Sequence, residues 1–191
     1  MVDRLLFRSD NENVKSFVFP YSRFVCDAER LENDPMEKIG QGIIYTSFDG
    51  YKRKELSDEN IAKLLDARQK HLDRISGSLT EESVLVDCHS FPQDMSDADI
   101  CIGFNDDWSY NEKITSAVID IFTMHGYKVS INEPFSNSLT PKTDFPYTSV
   151  MIEVNKKVYM NEERMSLKRD TGQWTRWCDC IGEVYNKILN W

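Results

Sequence analysis

Three stretches of the chain repeat apolar residues with the period of an α-helix. Ile61, Leu64, Leu65, Leu72 and Ile75 fall on one helical face, with Ser57 placed to cap the helix and Gly77 to end it. From about Asn111 to His125, the residues Ile114, Ala117, Val118, Ile121 and Phe122 stand in i, i+3, i+4, i+7, i+8 register before Gly126. The third predicted helix is C-terminal and carries Trp174, Trp177, Cys178, Ile181, Tyr185, Ile188 and Leu189. Its tryptophans have the spacing of one buried face, so core packing accounts for them better than a ligand platform does.

Between these helices, short β-branched or apolar runs predict strands at Val14–Phe19, Arg23–Cys26, Gly42–Tyr45, Val84–Cys88, Ile100–Phe104, Lys128–Ile131 and Val150–Val154. Val84–Cys88 is apolar except for Asp87, the pattern of a strand buried on both faces. Strands alternating with amphipathic helices predict an α/β fold, with helices on both faces of a central, mostly parallel sheet. No repeat, low-complexity tract or linker rich in Gly, Pro or Ser divides the chain, so residues 1–191 read as a single domain. Ligand sites in such sheets form at the carboxyl ends of the strands, which directs attention to the residues found there.

Composition narrows the classes of function. With 23 Lys and Arg against 32 Asp and Glu, the formal charge is −9, a poor match to a nucleic-acid backbone. No apolar run approaches the roughly 18 residues of a membrane span, and the first residues lack the layout of a secretory signal. Five cysteines (Cys26, Cys88, Cys101, Cys178 and Cys180) without framework spacing predict reduced thiols and a cytoplasmic protein. Cys178 and Cys180 are two apart on a predicted helix, so they point to different faces and read as ordinary cysteines.

Three runs could carry chemistry. In VLVDCHSFPQD, His89 follows an apolar strand and Asp87 shares its face; the ring is either a metal ligand oriented by Asp87 or a core histidine bonded to it. In SVMIEVNKKVYM, Glu153 is flanked by apolar residues; it is either a general base or the partner of an arginine elsewhere in the sheet. In PYSRFVCDAERL, Arg23 and Arg30 can offer forked donors to a carboxylate or a developing oxyanion, and Asp27 and Glu29 lie between them. A solvated charged loop is the other reading of that run. Tyr159 and the loop Asn132–Phe135 could cover a pocket, while His71 reads as a charged-surface residue and His125 as a cation at a helix C-terminus.

Five segments in order, FPYSRFVCDAERLENDPMEKIGQGIIYT, VDCHSFP, DICIGF, GYKVSINEPF and VMIEVNKKVYM, resemble the N-formylglutamate amidohydrolase family, which is related to aspartoacylases and zinc carboxypeptidases. The resemblance implies a three-layer αβα fold of zinc-exopeptidase type around a mixed, mostly parallel sheet. It also implies hydrolysis of the amide of an N-acyl acidic amino acid, such as N-formyl-L-glutamate giving formate and glutamate, in amino-acid catabolism. By the same resemblance His89 is a zinc ligand, with Asp87 behind it, and Glu153 is the base that activates water. Arg23 polarises the scissile carbonyl, and Arg30, with Glu29 beside it, holds the substrate carboxylate; Tyr159, as a pocket cover, is a further candidate for substrate binding. In the related enzymes asparagine usually precedes the second arginine; here the residue is Glu29, which leaves the preferred substrate open.

The resemblance has one departure. Proteins of this pattern normally begin with a strand and a motif of the kind His-Ile-Pro-His-Ser, whereas no histidine precedes His71 in this chain. The expectation is a domain short of its first strand, with Asp3 as a candidate oxygen ligand and Zn2+ bound weakly or not at all unless another ligand is supplied, since catalytic zinc ordinarily takes three protein ligands. The alternative function is a catalytically impaired pseudoenzyme or binding protein that keeps a carboxylate-binding arginine pocket.

Overall fold

In the computed structural model, which describes residue 6 and residues 11–32, 34–169 and 172–191, the chain divides into two units. The smaller comprises the described residues of Phe17–Ser78 with Pro141–Thr143. Its regular elements are a 3-10 helix at Pro35–Ile39, a hairpin of Ser47–Phe48 (β1) with Tyr51–Lys52 (β2), and the helix Asp58–Ser76 (α1). Ser57 caps α1 by accepting the Asn60 amide, Asp58 and Glu59 sit in the first turn where the helix dipole favours them, and Gly77 follows the last turn.

The strands expected at Arg23–Cys26 and Gly42–Tyr45 do not form, and neither does that at Val14–Phe19. Local turns take their backbone groups instead. The amides of Val25 and Cys26 both donate to the Ser22 carbonyl, and those of Thr46 and Ser47 to the Gly40 carbonyl, so few groups remain for a ladder. Gly40 makes this possible with a left-handed φ of 79°. Only one bridge, Gln41 to Tyr45, remains of the third predicted strand. The β1–β2 hairpin turns on Asp49 and Gly50, both at positive φ (49° and 76°), the conformation that suits a two-residue turn.

The α1 face contains Leu64, His71 and Ile75, so His71 is a core residue and not the surface residue expected. It belongs to the apolar stripe, seven residues after Leu64 and four before Ile75, and its ring lies 5.2 Å from that of Phe19. Desolvation by burial, with the Arg74 charge adding, lowers its pKa below the ordinary 6.5. Because the folded state holds the ring neutral, the unfolded chain takes up the proton first as pH falls, and stability declines below about pH 6.5. The urea midpoint should therefore fall more between about pH 7.5 and about pH 5.5 in the parent protein than in His71→Leu; equal slopes would remove His71 as a contributor.

The larger unit comprises the described residues of Met1–Ser16, Leu79–Thr140 and Asp144–Trp191. Its strands are Val84–Phe91 (β3), Ile100–Gly103 (β4), Val129–Ile131 (β5) and Thr148–Asn155 (β6), and its helices are Glu112–Met124 (α2) and Gly172–Leu189 (α3); a small hairpin pairs Met160–Asn161 (β7) with Ser166–Leu167 (β8). The sheet order is β3-β6-β4-β5, with β3 parallel to β6, β6 antiparallel to β4 and β4 parallel to β5. This is the mixed, mostly parallel sheet with flanking helices of an α/β fold. At the edge of the sheet as described, β3 is only partly buried along most of its length, where the sequence pattern implied burial on both faces.

Side chains alternate across each strand, so one sheet face collects Val84, Val86, Ile100, Ile102, Val150, Ile152 and Val154. These pack with Ile114, Val118, Ile121 and Phe122 of α2 and Trp177, Cys180, Ile181 and Val184 of α3 to form the core. Trp177 is stacked on Phe122 at 6.0 Å and meets Tyr127 edge-on at 5.8 Å, so the tryptophan stripe is core packing. Asn111 caps α2, and His125 ends it with Nε2 2.9 Å from Glu183 Oε2 of α3. In α3, Cys180 is buried and Cys178 half-buried, as their two-residue spacing implied. No described helix is long and apolar enough to cross a membrane.

Candidate functional site

The opposite face of the same sheet has a different character. Because the first face takes the even-numbered residues of β6, the second takes Ser149, Met151, Glu153 and Asn155, together with Asp87, His89 and Phe91 of β3 and Cys101 and Gly103 of β4. His89 stands directly opposite Glu153, which stands opposite Cys101. A buried strand, β6, thus presents a carboxylate that is only 7% exposed beside an imidazole. Both residues lie inside their strands, near the carboxyl ends, where the sequence placed them just beyond or at the end of shorter ones.

Asp87 and His89 are two residues apart, so the strand puts both on one face, and Asp87 Oδ1 lies 2.7 Å from His89 Nε2. The second oxygen, Oδ2, accepts the Leu139 amide at 2.9 Å. An aspartate that accepts from Nε2–H assigns the ring's lone pair to Nδ1, the arrangement in which an imidazole can act as a metal ligand. The segment that supplies the Leu139 amide crosses this face closely, and a Cβ on Gly103 would stand 2.6 Å from the Asn137 carbonyl oxygen. Glycine at that position is what lets the segment approach.

Two more groups frame the carboxyl end of the sheet. Asn155, fully buried, donates through Nδ2 to the carbonyls of Ser96 (3.1 Å) and Ala98 (3.0 Å) and so fixes the loop after β3. The loop Asn132–Phe135 is tied to β4 by the Asn132 amide on the Ile102 carbonyl; its Phe135 ring lies 5.8 Å from Phe91, and its carbonyl accepts from Cys101 Sγ. Tyr159 lies elsewhere. It is 3% exposed, packs in the apolar core and donates to Ser90 Oγ at 3.0 Å, and Ser90 alternates away from His89. Burial raises its pKa; the Ser90 bond opposes this, and the charges of Glu162 and Glu153 add to it.

In the smaller unit, the arginine run is organised by Asp27, whose significance the sequence reading missed. Its carboxylate is 2% exposed and lies 3.0 Å from Arg23 Nη2 and 3.5 Å from Arg30 Nη2, so one anion aligns both guanidinium groups. Asp34 lies 3.5 Å from the other terminal nitrogen of Arg30. Burial acts to lower the Arg23 pKa, but Asp27, with Tyr45 and Glu29, more than offsets it and the net shift is upward. Glu29 is exposed, and its amide donates to Asp27 Oδ1 at 3.3 Å. The signal available in the sequence was the spacing: Asp27 is four residues after Arg23 and three before Arg30. Asp3 lies outside the described residues.

Solved structures similar to this chain include an N-formylglutamate amidohydrolase from Ralstonia eutropha, at 17% identity and a TM-score of 0.59 over 88% of this chain and 74% of that one. A gene product of Agrobacterium tumefaciens is similar at 18% identity and a TM-score of 0.59, covering 88% of this chain and 69% of that one. At such identities the likeness establishes a shared fold. A search of the curated proteins finds no match. The model of one family, described as N-formylglutamate amidohydrolase, matches residues 1–160, which takes in all five sequence segments, the polar sheet face and the arginine run. The chain therefore belongs to the N-formylglutamate amidohydrolase family.

Proposed function

We propose that the protein is a zinc-dependent hydrolase that cleaves the amide of an N-acyl acidic amino acid, with N-formyl-L-glutamate, giving formate and glutamate, as the representative substrate. The observation that carries this reading is the pairing of His89 with Glu153 on the polar sheet face, with Asp87 fixing the imidazole. Of the three protein ligands that catalytic zinc ordinarily takes, His89 fits one: the Asp87 bond directs the lone pair of a neutral ring to Nδ1, and an imidazole so oriented is a usual zinc donor. Zinc held there supplies Lewis acidity toward water and the scissile carbonyl.

The remaining roles belong to the chain's own groups. Glu153 accepts a proton from the attacking water and delivers it to the leaving amine, a shuttle that a carboxylate shielded from solvent performs well. Arg23 offsets the negative charge that develops on the carbonyl oxygen. Arg30, aligned by Asp27 and Asp34, holds the substrate carboxylate through charge-assisted hydrogen bonds, with Glu29 beside it. A net charge of −9 is compatible with an anionic substrate, because local donors outweigh a distant screened field.

The test is hydrolysis of N-formyl-L-glutamate by the zinc-supplemented protein, read as formate release, beside metal analysis of the parent and of His89→Ala. Zinc retained by the parent and lost from His89→Ala, together with turnover, supports the reading. A parent that neither retains zinc nor releases formate sinks it. Arg30→Ala should raise KM by the equivalent of about 2–4 kcal/mol with a smaller change in kcat; an unchanged KM would remove Arg30 as the carboxylate clamp.

A further inference from the structure

We infer that Ser149 and Asn105 are positioning residues that clamp the Leu139 amide onto Asp87 and thereby decide which nitrogen of His89 carries the proton. The functional meaning of this rests on the reading of His89 as a metal ligand. The clamp itself stands on its hydrogen bonds.

Asn105 brackets the backbone of Ser138 from both sides. Its Oδ1 accepts the Ser138 amide at 3.1 Å, and its Nδ2 donates to the Ser138 carbonyl at 3.1 Å. That carbonyl belongs to the same peptide unit as the Leu139 N–H, which donates to Asp87 Oδ2 at 2.9 Å. A donor on the carbonyl polarises the peptide and strengthens its N–H as a donor on the far side.

Ser149 holds the other side of Leu139. Its hydroxyl, 1% exposed, donates to the Leu139 carbonyl at 2.7 Å and lies 2.6 Å from Ser138 Oγ. A carbonyl cannot donate and a hydroxyl has one proton, so Ser138 must be the donor to Ser149. Every group in the chain Ser138, Ser149, Leu139 thus has a defined direction.

The consequence falls on Asp87. A carboxyl group is broadly free in its terminal torsion. The Leu139 amide takes one oxygen and leaves the other pointed at His89 Nε2, 2.7 Å away. Without the clamp, the carboxylate can rotate and the imidazole can populate its other tautomer.

The experiment is 15N NMR of histidine-labelled, metal-free full-length protein at a pH where the ring is neutral, with His89→Gln identifying the His89 resonance. The parent should show His89 protonated at Nε2. Ser149→Ala and Asn105→Ala should each move it toward a mixture of tautomers, Asp87→Ala should move it furthest, and Ser149→Thr should keep it. In competition with a chelator, Ser149→Ala should bind zinc about tenfold more weakly, the lower end of the usual effect of disturbing a group behind a ligand. If Asp87→Ala shifts the tautomer while Ser149→Ala and Asn105→Ala lower only the melting temperature, the clamp is overturned and the Asp87–His89 pair survives. If the two clamp variants shift the tautomer but the parent binds no zinc, the clamp stands and the metal reading falls. Asn105→Ala lies on a separate strut, so it decides the matter should Ser149→Ala fail to fold.

Discussion

Glu153→Gln is expected, on the proposed mechanism, to lower kcat for amide hydrolysis by about 10²- to 10⁴-fold while the protein stays folded and its zinc content matches that of the parent. The substitution changes one oxygen to an NH2 group and leaves the side chain the same length. The backbone is held on both sides, opposite His89 on β3 and Cys101 on β4. What the amide cannot do is accept the proton of the attacking water. A lowered kcat with unchanged zinc content therefore reports on proton transfer, whereas unchanged turnover would remove Glu153 from the role of base.

The second large effect concerns stability. Trp177→Ala should cost about 3–5 kcal/mol in urea unfolding, a large share of the roughly 5–15 kcal/mol by which folded domains are stable. Trp177 is 1% exposed and wedged between Phe122 and Tyr127, residues that come from α2 and from the loop just after it. Its loss opens a cavity where α2, α3 and the apolar sheet face meet, and neighbouring rings cannot close it without leaving their own contacts. Trp191, 54% exposed, is the control, and Trp191→Ala should change stability by no more than about 0.5 kcal/mol. A loss below about 1 kcal/mol for Trp177→Ala would mean that α3 is not packed as described.

The three α-helices α1, α2 and α3 of the described residues were legible in the sequence because their signals are local. Ser57 and Asn111 cap within three residues of themselves, and the apolar stripes of α1, α2 and α3 lie within single segments. His71 was misread because its residue type was weighed above its position in the stripe. The early strands were misread because β-branched propensity says nothing of turns that capture the amides first, and the Asp49–Gly50 hairpin signal was passed over. The site was half legible. Asp87 and His89 share a face by elementary alternation, but Glu153 reaches His89 only through a register offset of 64 residues between paired positions, which parallel pairing sets and no local pattern contains. Leu139 could not be found at all: it acts through its backbone amide, and its side chain is irrelevant to the bond it makes.

Strand β6 carries both jobs of the larger unit on a single eight-residue segment. Residues 150, 152 and 154 pack into the apolar core, while 149, 153 and 155 face the polar side of the sheet, where the proposed chemistry is placed. A saturation scan along this strand should therefore lose cellular abundance at 150, 152 and 154, and also at the buried, hydrogen-bonded 149 and 155, while on the proposed reading Glu153→Gln loses turnover without losing abundance.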